Sequence, residues 1–290
     1  MGPAALGMAV TQFNVLIDRF LALWIAPWAP AALTYSERLV YLPLGVIATA
    51  MGTVLLPAFS THAAEGDHET MGNTISRALR HLVFIMVPAS LGLLVLAPRI
   101  LSTIMELGGA FDAESTRLSA RALVCYAPGL VVFSAAKILV PAFYAMQDTK
   151  TPVRVGMATV ALNLVLNITF ILTLPTEWKH AGMAFSTVLS GSANVAILSL
   201  VLAKRIRSIQ WMEVSKGFAR CLACAAVMGV AAWLAAHYSY PILESRVPAK
   251  FAQIGSLVFA VGTGASVYFI LALGLKAPEL GEIKAAGRRH

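Results

Sequence analysis

Runs of about 20 apolar residues recur along this chain, and they decide most of what it can fold into. A helix needs about that length of apolar sequence to cross the hydrocarbon core of a bilayer. Eight such runs, at 4–26, 32–58, 82–98, 122–144, 153–174, 181–203, 217–237 and 251–274, take up nearly all of the 290 residues. Hydrophobic residues are 58% of the chain and charged ones 12%, so lipid is the solvent for most of it and little remains for a separate globular domain. The expected fold is all-α, a polytopic transmembrane bundle of about eight spans.

The net charge of +8 does not point to nucleic acid, because no stripe of Lys and Arg is interleaved with aromatics. Most basic residues sit between the apolar runs instead. The loops after the second, fourth and sixth runs, with the tail, hold thirteen of them: Arg77, Arg80, Lys150, Arg154, Lys204, Arg205, Arg207, Lys216, Arg220, Lys276, Lys284, Arg288 and Arg289. The opposite loops hold six: Arg99, Arg117, Arg121, Lys179, Arg246 and Lys250. Cytoplasmic loops collect positive charge, and an even number of spans returns the chain to its starting side. Both termini of this multi-pass membrane protein are therefore expected in the cytoplasm.

Enzyme chemistry finds no foothold. The six histidines are scattered without an H-E-x-x-H pattern, and no G-x-S-x-G, Walker or G-x-G-x-x-G loop occurs. Cys125, Cys221 and Cys224 make neither a disulfide framework nor a four-ligand zinc site; Cys221 and Cys224 share a helix face as small packing residues. The loop from Ser60 to Ser76 reads as a solvated hairpin, rich in acids and turn formers. The first run starts within a few residues of Met1 with no basic n-region, like the middle of a longer protein.

Within the runs lie Asp18, Arg19, Glu37, Arg38 and Lys137, and an ionisable residue at membrane depth is a functional hypothesis by default. Pro43, Pro88, Pro128 and Pro141 interrupt runs, which lipid tolerates where neighbouring helices or a wet cavity satisfy the freed carbonyls. Arg38 lies about 10 Å of helix rise into its run. It reads as a snorkelling or structurally paired residue, or as a cavity guanidinium that forks onto a phosphate or carboxylate. Glu37 points about 100° away from it. Counting outward from Pro27-Trp28-Ala29-Pro30 places Asp18 and Arg38 within about 2 Å of the same depth, which makes them candidates to meet if both face the bundle interior. Asn163 and Asn167 share a face, with Thr187 and Asn194 on the next run. Their oxygens, joined by Asp18, suit a small hard cation and equally suit hydrogen bonding between helices. Gly182, Ser186, Ser190 and Asn194 step by four, a small-residue stripe for close packing.

Several stretches resemble the MurJ (MviN) family of bacterial flippases for lipid-linked peptidoglycan precursors, within the multidrug and oligosaccharidyl-lipid exporters. They are "MGPAALG", "QFNVLID" at Gln12 to Asp18, "YSERLVYLPLGVIATAMGTVLLPAFS" at Tyr35 to Ser60 and "KILVPAFYAMQDTKTPV" at Lys137 to Val153. The resemblance implies fourteen spans in full-length relatives, two six-helix lobes and two further helices forming a lipid-tail groove, with this chain similar to spans seven to fourteen. Residues 1–205 would be the second lobe, 206–275 the two extra helices and 276–290 a cytoplasmic tail. Arg38 matches the family's cavity arginine on the eighth span, and with Lys137 it is the expected substrate-binding pair. A sodium site of some relatives maps onto Asp18, Asn163, Asn167 and Thr187, with Asn167 standing where that pattern has an acid.

The expected function is movement of an undecaprenyl-diphosphate-linked precursor (lipid II) from the inner to the outer leaflet by alternating access, with no bond broken. Expected partners are the lipid-linked diphosphate oligosaccharide, membrane lipids and an amino-terminal lobe on a separate chain, not nucleic acid. Sodium or proton coupling is the only cofactor dependence the resemblance adds. Two rivals remain: a cation-coupled exporter of drugs or another polysaccharide lipid, and a non-transporting lipid-binding membrane subunit.

Overall fold

The computed structural model of the chain describes residues 2–106 and 112–275, with side chains described at residue 12 and from residue 14 onward. The tail at 276–290, with four of the thirteen cytoplasmic-side charges, lies outside the described residues. Among the described residues the regular structure is entirely helical: α1 (Gly2–Ile25), α2 (Ala29–Pro43), a π turn (Leu44–Ala48), α3 (Thr49–Ala64), α4 (His68–Met105), α5 (Ala113–Tyr126), α6 (Gly129–Ala145), α7 (Lys150–Thr173), α8 (Thr176–Arg205), α9 (Trp211–Glu244) and α10 (Ala249–Gly274). Six helical rods are long and apolar enough to cross a membrane, counting Ala29–Ala64 as one, and a seventh is added if α5 and α6 form one bent span. Seven of the eight expected runs each fall on one rod, the first of them on α1, which is not among those six; the fourth is divided between α5 and α6.

Three runs depart from the expectation in detail, each for a local reason. At Pro43 the second run loses a backbone donor, and the ring presses on the carbonyl four residues back. The chain there winds into the π turn, where the Thr49 N–H donates to the carbonyl of Leu44, five residues away. The third run extends to 38 residues, about 57 Å, because the expected hairpin loop shrinks to Glu65–Asp67. Gly66 takes φ +70°, and the Asp67 carboxylate accepts from the Thr70 N–H at 2.9 Å, capping α4 with Glu69 in its first turn. The fourth run does not form one rod; it begins inside α5 and bends by 44° into α6 at Ala127-Pro128.

A large core cluster, with Phe59, Leu82, Phe143, Met183 and Leu198 among its members, unites helices α1 to α8. Two smaller clusters join α4 to α9 and α10, one around Phe84, Met228 and Tyr268 and one around Leu96, Ala236 and Ala260. Cys221 and Cys224 are buried as thiols against α4. Small residues set the spacing in lipid, where packing rather than water drives association: a Cβ on Gly264 would stand 3.1 Å from that of Ala232. Ion pairs tie the loop ends, with Arg205 on Asp148 at 2.7 Å and Arg121 on Glu177 at 3.0 Å.

Candidate functional site

The four residues expected to share a cation come together between α1, α7 and α8. The i, i+4 spacing puts Asn163 and Asn167 on one face of α7, where both are buried. Asn167 Nδ2 donates to Asp18 Oδ1 at 2.7 Å and to Asn163 Oδ1 at 3.1 Å. The other end of the Asn163 amide reaches Thr187 Oγ1 at 3.5 Å and the hydroxyls of Ser186 and Ser190 at 3.4 Å. Ser186 Oγ closes the ring onto Asn167 Oδ1. The stripe on α8 thus does two jobs. Gly182 admits Leu174 and Phe170 of the α7 end to within 3 Å of where its Cβ would be, while Ser186, Ser190 and Asn194 present oxygens, Asn194 reaching Thr159 at 3.1 Å.

One atom of the Asn163 amide lies 3.2 Å from Asp18 Oδ1 and 3.2 Å from Asn14 Oδ1. Turned nitrogen-inward, the amide donates to both. Turned oxygen-inward, it sets its oxygen beside those of Asp18 and Asn14, with the Asn167 amide nitrogen donating to it and to Asp18. This donor set of amide, hydroxyl and carboxylate oxygens fits a small hard cation. A cavity of about 290 Å³ lined by Asn14, Phe133, Asn163, Thr187, Ser190 and Asn194 leads to it.

Asp18 and Arg38 do not pair. The Asp18 carboxylate is engaged by Asn167, whereas Arg38 is exposed and takes no hydrogen bond or ion pair among the described residues. Their neighbours pair instead: Arg19 Nη2 meets Glu37 Oε2 at 2.9 Å, and Arg19 Nη1 reaches the Pro30 carbonyl at 3.1 Å and Thr34 Oγ1 at 2.5 Å. Depth from the hairpin is respected, but one residue is about 100° of helix rotation, so pairing 19 with 37 turns 18 and 38 to other surroundings. Lys137 on α6 is also exposed, and its carbonyl lies 3.0 Å from where a Cβ on Gly52 would stand. Bare Gly52 is what lets α3 press onto α6 beside Lys137.

Sequence reasoning missed Asn14, because on α1 it lies one turn from Asp18 without an apparent partner. It also read Ser186 and Ser190 as packing alone; their spacing relative to Asn163 was visible, their hydroxyl orientation was not.

Known proteins resemble this chain in sequence and in fold. The family model described as "Lipid II flippase MurJ" matches residues 1–248. A "Probable lipid II flippase MurJ" of Rhizobium tropici is 32% identical over 282 residues, 97% of this chain and 52% of the relative. The protein of the same description in Vibrio cholerae is 35% identical over 198 residues, 68% of this chain and 37% of the relative. A solved "Lipid II flippase MurJ, inward closed conformation" superposes with a TM-score of 0.70 at 22% identity, covering 92% of this chain and 51% of that one. The chain thus spans roughly a third to a half of the relatives it matches.

Proposed function

The chain belongs to the lipid II flippase MurJ family, and from that membership we propose that it is the carboxy-terminal portion of a transporter, not an enzyme, that carries a lipid-linked diphosphate oligosaccharide (lipid II) to the outer leaflet of the inner membrane. One observation supports the reading above the others. Arg38, nine residues into α2 and so about 14 Å along that helix, is exposed with no counter-charge among the described residues. A permanently charged group at that depth needs water or an anion, and a diphosphate head supplies the anion. Lys137 is the second cation offered to it. Residues 1–205 act as one lobe, 206–275 as the lipid-tail helices, and an amino-terminal lobe completes the cavity.

With an inside-negative potential of about 100 mV, each negative charge moved outward gains roughly 2.3 kcal/mol, so a diphosphate with about two charges gains on the order of 4 to 5. The cluster of Asp18, Asn163, Asn167 and Thr187, with Asn14, holds a sodium ion that couples to this movement. Sodium should raise the melting temperature of the purified chain relative to N-methylglucamine at equal ionic strength, and Asp18→Asn should remove the difference; an equal rise with both cations would discard the site.

The termini face the cytoplasm. A single cysteine at Ser208 should resist an impermeant thiol reagent on intact cells and one at Val247 should react, while the reverse pattern would invert the topology. The function itself is tested by complementation of a flippase-depleted bacterium with this chain plus a supplied amino-terminal lobe. Growth and restored lipid translocation are expected; growth without translocation would favour a non-transporting subunit.

A further inference from the structure

On the seam where α4, α9 and α10 meet, an apolar groove of about 420 Å³ is lined by residues that include Phe84, Leu93, Met228, Val261 and Phe269. A polar hollow of about 210 Å³ adjoins it on the same three helices, lined by Arg99, Ser102, Thr103, Tyr240, Gln253 and Ser256. The two are neighbours by construction. On α4, Leu96 and Ile100 face the groove while Arg99 and Thr103 face the hollow; on α10, Val261 and Ser256 are five residues apart, about 7.5 Å of rise.

Arg99 is half-buried and has no carboxylate partner among the described residues. Its Nη1 donates to the Ala236 carbonyl at 2.5 Å and to Ser256 Oγ at 3.3 Å, which leaves Nε and Nη2 without a protein acceptor among those residues. Ser256 is itself held by Ser239 at 2.8 Å, and the Tyr240 hydroxyl donates to Glu244 at 3.1 Å. A snorkelling arginine extends into headgroup water. This one is instead drawn back onto the α9 backbone, so its remaining edge is fixed in place beside the Gln253 amide, while the hydroxyls of Ser102, Tyr240 and Ser256 already donate to the carbonyl of Arg99, to Glu244 and to the carbonyl of Ala236. A planar guanidinium edge is the chemistry that grips phosphate oxygens, and the adjoining groove adds a place for hydrocarbon.

We propose that the Arg99 hollow binds the phosphate of a membrane lipid whose hydrocarbon chain lies in the adjoining groove. The site depends on the proposed function only for which lipid is bound, and on the charge-derived topology only for its assignment to the outer leaflet. For the transported lipid it would be an exit station, reached after the central cations release the diphosphate.

The test is saturable binding to the purified full-length chain in detergent, with four probes: a short-chain polyprenyl diphosphate, the matching polyprenol, phosphatidylglycerol and inorganic pyrophosphate. At least one phosphate-bearing lipid should bind, at least tenfold more tightly than the polyprenol, and Arg99→Gln should weaken it about tenfold or more. Because Arg99 also holds an α9 carbonyl, Gln253→Leu serves as the second variant and should weaken the same probe several-fold with an unchanged melting temperature. Binding unaffected by both variants, polyprenol binding as tight as the diphosphate, or pyrophosphate binding as tight as the lipid would each overturn the proposal. Preference for the polyprenyl diphosphate assigns the site to the transported lipid, and preference for phosphatidylglycerol to the bilayer. Transport is not measured, so a failure of the flippase reading leaves this result standing.

Discussion

Two polar regions of this bundle sit within apolar helices and are treated in opposite ways. Between α1, α7 and α8, the Asp18 carboxylate accepts from the Asn167 amide, which is itself tied to Asn163 and Ser186. On α2 and α6, Arg38 and Lys137 stand exposed with none among the described residues. The first arrangement draws its partners from within the bundle. The second, by the proposed function, is completed by an anion from outside it. Burial with partners suits structure or ion binding; exposure without them suits contact with water or an anion.

The comparison breaks most visibly at Arg38. In a transporter completed with its amino-terminal lobe, Arg38→Ala should reduce lipid translocation on the order of 100-fold, the size of about 3 kcal/mol from one charge-assisted contact, with abundance unchanged. Arg38→Lys should recover little, since an ammonium lacks the bidentate fork. Wild-type translocation by the alanine variant in a leaflet-accessibility assay would end the distinction between the regions.

Asn167→Leu should act in the opposite sense, lowering stability in detergent by about 2 kcal/mol because it strips the Asp18 carboxylate of its donor. Thermal unfolding monitored by circular dichroism reads this directly. A variant as stable as wild type would mean that the cluster is less self-sufficient than its hydrogen bonds suggest.

Arg19 and Glu37 form an ion pair whose side chains are 33% and 25% exposed, so solvent screens it and it contributes at most about 1 kcal/mol. Exchanging the charges, Arg19→Glu with Glu37→Arg, should restore most of the abundance lost by either single change and leave translocation intact. Loss of translocation in the stable double variant would move this pair into the functional region. The smallest effect is expected at the edge of the ordered cluster: Asn194→Leu removes one hydrogen bond to Thr159, about 0.6 kcal/mol for such contacts between membrane helices, a shift near the limit of a melting experiment.

The legibility of the structure in the sequence divides along the same line. Periodic apolar length locates every rod but the bent pair α5 and α6, and the i, i+4 spacing of Asn163 and Asn167 locates the buried cluster, because both depend on translation along one helix. The features that escape the sequence depend on rotation or on non-local relief. Counting residues puts Asp18 and Arg38 at a common depth, but depth carries no azimuth, and the single-residue shift to Arg19 and Glu37 is invisible to it. The corner at Ala127-Pro128 reads in sequence as an interruption within one span, since a proline signals a missing bond without fixing the angle that neighbours permit. Arg99 counts as loop charge because nothing local reveals that α9 and α10 close a hollow around it.

The π turn at Leu44–Ala48 has a consequence for how the two ends of its rod are phased. Five-residue hydrogen bonding accommodates one residue more than an uninterrupted α-helix, which rotates the downstream residues of the rod by about 100° of azimuth. Upstream, Ser36 is turned inward, its hydroxyl on the Ser119 carbonyl at 2.7 Å, while Arg38 looks out. Downstream, Gly52 meets the backbone of α6 at Lys137. The turn works as a phase shifter, letting one continuous rod dock to α5 with one face and to α6 with another that a uniform helix would have aimed elsewhere.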